Sequence, residues 1–269
     1  MKKIILLVIS SLAILSSCTQ AEDTGRRSVG IVAHKGFWNC EEAGYAQNSR
    51  ASLRCAQEAG FWGSEFDVNM TSDSVLLVYH DSRIEGMKIE RHPYSRFKDI
   101  RLDNGERIPT VDDYLRQGLE HPETMLVYEL KKHSSDEVED ILVRLSIGKL
   151  KEHGLLDPER VMFISFSLHI CERLAGMLPG FTVQYLGAGC NPDRLAAKGI
   201  SGVDYNHLIF SIHNGWYHMA RKNGMSVNAW TVNKKSTMEK MFRMGVDQIT
   251  TDQPLEARQL LESMGYEEE

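Results

Sequence analysis

The chain has 269 residues, of which 42% are hydrophobic and 25% charged, with 31 Lys and Arg against 37 Asp and Glu for a formal net charge of -6. That length and apolar fraction support a sizeable core, as one large barrel or as two ordinary domains. A net negative chain without a long basic cluster is poorly suited to nucleic acid, whose phosphate backbone is gripped through many Lys and Arg contacts, and a small charged substrate remains open.

The chain begins with Lys2 and Lys3, an apolar-to-small run over 4–15, then Ser16, Ser17 and Cys18 and a polar stretch over 19–27. The run is too short to cross a bilayer comfortably, and its basic start and small-residue end match an export signal. The string LSSC resembles the bacterial lipobox, whose cysteine becomes the lipid-modified first residue of the mature protein. The expected organisation is a lipoprotein signal peptide and lipobox at 1–18, a polar tether at 19–27 and a single domain at 28–269. Such a protein is exported and held in the cell envelope by a membrane anchor at Cys18. Cys40, Cys55, Cys171 and Cys190 then lie in a compartment where disulfides persist; four thiols allow three pairings, and buried free thiols are the equal alternative.

From residue 28 onward, β-rich runs alternate with amphipathic stretches. A strand over 29–34 precedes a helix over 48–59, and a strand over 64–69 precedes a helix over 110–119. Strands over 125–130 and 161–166 are followed by helices over 135–152 and 168–177. Strands over 182–186 and 202–205 are followed by helices over 192–198 and 213–222. The last two units pair strands over 226–232 and 248–251 with helices over 235–244 and 254–263. Eight strand and helix units imply a parallel sheet closed on itself, an α/β fold of the (β/α)8 TIM barrel type, with an open doubly wound sheet as the competing architecture. The apolar run over 75–79 lies too close to the second strand for a crossover helix and reads as a hairpin return. The polar stretch over 82–109 reads as a small insertion after the second strand, passing over one face of the barrel.

In a parallel barrel the working face lies at the carboxyl ends of the strands, so polar residues that close apolar strands are the candidates for chemistry. The first strand ends in Ala33, His34, Lys35 and Gly36; the second contains Glu65 and Asp67; the third ends in Glu129, Leu130 and Lys131; and the hairpin return ends in His80 and Asp81. Residues two apart on a strand share a side, so Glu65 and Asp67 project together, as do Glu129 and Lys131. Three carboxylates at one barrel mouth repel one another unless a cation joins them, and an all-oxygen set favours a hard ion such as Mg2+ or Ca2+ over zinc. Separate pairing of each acid with Lys or Arg is the structural alternative. Two histidines at strand ends suit a reaction in which one proton leaves a nucleophile and another reaches a leaving alkoxide near neutral pH.

The strings AHKG, AQNSRASL, SEFDVNMTSD, VYHD, IPTVDDYL, YELKK, AWTVN and GVDQITTDQP occur in that order. Together they resemble the signatures of the glycerophosphodiester phosphodiesterase family, which run HRG, PENT, ExDV, TxDG, VxHD, IPTLxE, ExK, WTVN and GxDxIxTDxP over nearly the whole mature chain. Any one string is weak, and the ordered set is specific. The resemblance implies a metal-dependent enzyme that hydrolyses glycerophosphodiesters to glycerol 3-phosphate and an alcohol. It assigns one divalent cation, Mg2+ or Ca2+, to Glu65, Asp67 and Glu129, and acid-base roles to His34 and His80. Substrate contacts fall to Lys35, Lys131 and Trp230, although Trp230 serves barrel packing equally well. In related barrel phospholipases a neighbouring hydroxyl of the substrate attacks first, giving a cyclic phosphate that water opens, and the same route is implied here. Two alternatives stand beside this one: a phospholipase acting on intact lipids, and a non-catalytic lipoprotein that captures ligands in a disused barrel. The chain departs from the family in three places. Lys35 replaces arginine, losing the two-pronged donor; Ala46 to Ser49 replaces PENT, losing a carboxylate and keeping an amide; and Ser74 replaces a turn glycine.

Overall fold

The computed structural model describes residues 28–269; the expected signal peptide, lipobox and tether lie outside the described residues. In chain order the elements begin with β1 (Ser28–Ala33), α1 (Arg50–Glu58), β2 (Gly63–Met70), β3 (Leu76–Val78), β4 (Arg83–Ile84), β5 (Met87–Lys88), α2 (Val111–Gly118) and β6 (Met125–Leu130). They continue with α3 (Asp136–Glu152), β7 (Val161–Ser165), α4 (Leu168–Met177), β8 (Val183–Tyr185), α5 (Pro192–Ala196), β9 (Gly202–Asn206) and α6 (Ile209–Ile212). The last are α7 (Trp216–Lys222), β10 (Ser226–Trp230), α8 (Lys235–Met244), β11 (Gln248–Thr251), α9 (Pro254–Ser263) and β12 (Glu267–Glu268).

Eight strands pair in parallel in the order β1, β2, β6, β7, β8, β9, β10 and β11, and β11 returns to β1, so the sheet is a closed barrel. Closure removes every free edge except where β3 folds back antiparallel onto β2 as the expected hairpin return, and where β12 lies parallel beside the start of β1. Polar side chains mark where several strands hand over to helices. Ser49, Ser135, Ser167 and Asn191 each accept a bond from a first-turn amide of α1, α3, α4 and α5, and Thr110 forms a reciprocal capping box with Asp113 on α2. No helix among the described residues is long and apolar enough to cross a membrane.

Alternation along the strands divides the interior in two. Ile31, Phe66, Val68, Tyr128, Leu130, Phe163, Val203, Tyr205 and Ile249 point outward into the main core between sheet and helices. Val32, Val127, Met162, Ile164 and Leu186 point inward and fill the barrel, with Trp62 and Trp230 packed against them. This phase fixes the position of the acids, because sliding a strand by one residue would turn its whole inward set outward. Phe66, between Glu65 and Asp67, anchors the phase of β2: its ring stacks on Tyr114 at 4.5 Å and meets Tyr128 edge-on at 4.7 Å. Such pairs contribute about 0.5–1.5 kcal/mol each beyond their burial.

The stretch over 82–109 is less irregular than its composition indicates. It carries β4, β5 and two short 3-10 turns, and its Ile84, Ile89, Phe97 and Ile108 close a small core against Leu77 of β3. Two helical expectations shift: α1 begins at Arg50 rather than 48, and the stretch expected as one helix over 213–222 is α7 alone, preceded by the short α6.

Candidate active site

Strand register builds the acid cluster. Asp67 and Glu129 are direct partners across β2 and β6, and Glu65 lies two residues before Asp67 on the same inward face. One oxygen from each of these three buried carboxylates lies within 4.8 Å of the others. Lys131, two residues beyond Glu129, reaches back over them. Its Nζ donates to Asp67 Oδ1 at 3.0 Å and sits 2.7 Å from Glu129 Oε1 as an ion pair without hydrogen-bond alignment.

The remaining bonds hold the acids in place from outside. Glu65 Oε2 accepts the Lys35 backbone N–H at 2.8 Å, while the buried Glu65 Oε1 has no hydrogen-bond partner among the described residues. Lys35 can aim its amide this way because its φ is 58°, and Gly36 continues the turn at φ 79°. A side chain at Gly36 would put its Cβ within 2.7 Å of the Ser52 backbone, so the glycine of AHKG is required by space as well as by conformation. Asn48 grips Asp67 twice, donating to Oδ2 at 2.8 Å and accepting the Asp67 backbone N–H at 3.1 Å. That engagement leaves the cap of α1 to Ser49.

Burial first, then Asp67 and Glu129, push the Glu65 carboxyl well above the usual carboxylate range. Burial also lifts Glu129, against the pull of Lys131 and with Asp67 adding to the rise, to about 7. Asp67 differs: burial raises it, but Lys131, His80 and the Asn48 amide together bring it below its ordinary value. Lys131 is held firmly protonated, since Glu129 and Asp67 outweigh its desolvation. The site therefore concentrates negative charge that a single ammonium only partly offsets. An orphaned oxygen on Glu65, an all-oxygen donor set and mutual proximity fit a hard divalent cation.

The histidines flank this cluster. Beyond the last register pair of β1 and β11, Ala33 with Thr251, come His34 and Asp252, and His34 Nδ1 lies 2.7 Å from Asp252 Oδ1. Asp252 is itself fixed: its Oδ1 accepts from Trp38 Nε1 at 3.2 Å and its Oδ2 from Asn233 at 2.6 Å. Burial raises its carboxyl, but the bonds to His34, Asn233 and Trp38 bring it below the usual value. His80, just past β3, has Nδ1 2.7 Å from Asp81 Oδ1, and burial lowers its pKa although Asp67 opposes the change. In both rings it is Nδ1 that meets the carboxylate.

A cavity of about 310 Å3 opens between these groups and is lined on the catalytic side by His34, Glu65, His80, Glu129 and Lys131. The rest of its lining is Ile164, Phe166, Leu186, Trp230 and Asp204 with the hydroxyl residues Thr231 and Thr250. Trp230 meets Phe166 edge-on at 5.5 Å and donates its indole N–H to the Asp204 carbonyl at 2.9 Å, so it packs and lines the cavity at once. A second, more polar cavity of about 580 Å3 lies beneath the 82–109 excursion, and it also includes His80 together with Lys35. Lys35 Nζ donates to Gln47 at 3.3 Å there.

Thus all eight side chains singled out by the sequence, His34, Lys35, Glu65, Asp67, His80, Glu129, Lys131 and Trp230, gather at one barrel mouth. Two residues were missed. Asp252 had a signal, as the acid that closes the last barrel strand in TTDQP. Asp204 had none beyond being a charge inside an apolar strand.

A family model described as the glycerophosphoryl diester phosphodiesterase family matches residues 39–256. A crystal structure of a glycerophosphodiester phosphodiesterase from Parabacteroides distasonis superposes with a TM-score of 0.86 and is 38% identical, covering 90% of this chain and 100% of that one. A glycerophosphodiester phosphodiesterase from Caldanaerobacter subterraneus subsp. tengcongensis is 26% identical over 243 residues, 83% of this chain and 94% of its own length. An Oleispira antarctica phosphodiesterase, solved in complex with the product sn-glycerol-3-phosphate, shares the fold with a TM-score of 0.71 at 22% identity, over 87% of this chain and 96% of that one.

Proposed function

The chain belongs to the glycerophosphoryl diester phosphodiesterase family, and from that premise we propose that it hydrolyses glycerophosphodiesters to glycerol 3-phosphate and an alcohol through paired histidines. The observation that carries the reading is the convergence of three carboxylates, two carboxylate-backed imidazoles and one lysine on a single cavity. It also counts against a disused ligand-binding barrel, which has no need to keep all of them.

Glu65, Asp67 and Glu129 would hold a divalent cation, Mg2+ or Ca2+, which when bound neutralises charge on the phosphoryl oxygens. Lys131, and more loosely Lys35, add positive charge where the transition state differs most from the substrate. One imidazole removes the proton from the attacking hydroxyl, either the substrate's own neighbouring hydroxyl or water. The other delivers a proton to the departing alkoxide, so one P–O bond forms as one breaks. If the substrate's hydroxyl attacks first, water opens the cyclic phosphate in a second turn, and the histidines exchange roles. Asp252 and Asp81 fix the tautomers that allow this.

Export and lipid anchoring at Cys18 are part of the same proposal and rest on residues 1–18 of the sequence alone. The test is to incubate the purified mature protein with glycerophosphocholine and glycerophosphoethanolamine in Mg2+ or Ca2+, and to measure glycerol 3-phosphate. Release that stops on chelation is expected; its absence with both metals and both diesters overturns the reading. For the anchor, C18S should move the protein from the membrane to the soluble fraction, and a membrane fraction unchanged by C18S refutes it.

A further inference from the structure

Asp204 is fully buried on β9, on the inward face, and neither carboxyl oxygen has a hydrogen-bond partner among the described residues. An unsatisfied buried carboxyl costs folding free energy, so its retention asks for a partner that arrives from outside. The side-chain amides on the neighbouring strands are committed elsewhere. Asn228, its register partner on β10, directs its amide to Thr250 Oγ1 at 2.9 Å, and Gln184 on β8 donates to Ser226 at 3.0 Å. The Trp230 N–H goes to the backbone carbonyl of Asp204 and not to its side chain. Lys131 is held between Asp67 and Glu129. Asp204 lines the 310 Å3 cavity, from which an incoming ligand would reach its carboxyl.

The cavity has aliphatic and aromatic surface from Ile164, Leu186, Phe166 and Trp230, and Asp204 is the one charged residue on that wall. A polyol matches this combination: its C–H faces suit the apolar wall and its hydroxyls suit a carboxyl. A quaternary ammonium fits less well, because it has no hydrogen to give either oxygen, and Phe166 and Trp230 meet edge-on at 84° rather than forming a cage of faces. The strands wall this cavity, whereas the larger one sharing His80 lies beneath the excursion. A diester with its phosphate beside the histidines thus has a small, fixed chamber for one half and a larger one for the other.

We propose that Asp204 determines specificity by hydrogen bonding the glycerol hydroxyls of the substrate, while the variable alcohol occupies the cavity beneath the excursion. The inference rests on the proposed phosphodiesterase reading and goes beyond it by naming which half of the diester is read, and by what residue. A site built to bond a hydroxyl rejects the analogue lacking it strongly, because its own polar group is then left unpaired.

The test uses calorimetry on the Mg2+- or Ca2+-loaded protein with glycerol 3-phosphate and with its analogue lacking the terminal hydroxyl, beside turnover of the two corresponding phosphocholine diesters. Wild type is expected to favour the complete glycerol by about 100-fold or more. D204L should bring the two ligands within about threefold of each other, and D204N, which keeps both donor and acceptor, should retain an intermediate preference. Both variants should melt no lower than wild type, because no protein bond is lost. Should D204L fail to fold, D204N against wild type decides the matter. Discrimination unchanged in a folded D204 variant overturns the inference, as does a D204 effect that follows choline against an uncharged head group instead of the glycerol hydroxyl. Hydroxyl-dependent binding without turnover of any diester would instead refute the phosphodiesterase reading and leave the role of Asp204 standing.

Discussion

Replacing Glu129 by glutamine should make the cation-free protein more stable while removing its activity. In the absence of a cation, Glu129 is surrounded by burial and by Asp67, and its pKa rises from an ordinary 4.5 to about 7. At about 1.4 kcal/mol per pH unit, keeping this carboxyl ionised at pH 8 costs on the order of 3 kcal/mol. Glutamine keeps the shape and an oxygen for Lys131 and carries no charge, so E129Q should gain about 1–3 kcal/mol over wild type at pH 8 in chelator. The sign follows from a folded value raised above the unfolded one. The cost is absent below pH 4.5, grows as pH climbs toward 7 and is complete above it, so the advantage of E129Q should shrink almost to nothing near pH 4.5. Urea denaturation at both pH values, followed by fluorescence of the tryptophans, measures this. Adding Mg2+ or Ca2+ should reverse the order, because a ligand at 1,000 times its Kd stabilises wild type by about 4.1 kcal/mol, more than the 1–3 kcal/mol gained by the variant, which binds it far less. An E129Q protein no more stable than wild type at pH 8 in chelator, or one with the same advantage at both pH values, would refute the electrostatic account of the cluster.

D252N should lower kcat by about 10- to 1,000-fold with little change in melting temperature, since it disturbs the partner that orients His34 and no packing; steady-state kinetics with a parallel melt measures both, and an unchanged kcat removes Asp252 from the machinery. H34A and H80A should each lose about 100- to 10,000-fold on a choline diester, and whichever histidine protonates the leaving alcohol should lose much less on a p-nitrophenyl diester, whose leaving group needs no proton. Equal losses on both substrates in both variants would contradict the division of labour. The four cysteines among the described residues are free thiols, and Cys55 is raised to about 12, by burial first and then by the adjacent Cys40. The raised value slows the reaction, since the thiolate is the reactive form, but the proximity of Cys40 should still let oxidation join Cys40 to Cys55, as peptide mapping would reveal, and a bridge to Cys171 or Cys190 would refute the expected proximity.

The barrel was legible because its outward strand positions are apolar: Ile31, Tyr128 and Phe163 belong to short apolar runs, while Phe66 and Ile249 alternate with polar inward residues. The acid cluster was legible for the same reason, since Glu65, Asp67, Glu129 and Lys131 stand in phase with one another on adjacent strands. The partner of His34 was harder to see. Asp252 lies 218 residues away, and only the pairing of β11 with β1 brings the two together. Asp204 was missed because the inward or outward phase of a five-residue strand cannot be read from alternation when both flanks are mixed. The excursion misled through composition: its polar residues outnumber the few apolar ones, Ile84, Ile89, Phe97 and Ile108, that close its small core against Leu77. Asn48 shows the same competition at one residue, since its side chain suits a helix cap and is engaged instead by Asp67.

The entry of the chain into the barrel has a consequence for orientation. Ser28 begins β1 beside Glu267 at the floor, and His34 follows the far end of the same strand, about 20 Å away at some 3.3 Å per residue. The described chain therefore enters the barrel at the pole opposite the catalytic opening. If the proposed anchor at Cys18 holds the protein by that pole, dissolved diesters reach the opening directly, whereas a lipid of the supporting sheet lies on the far side of the barrel.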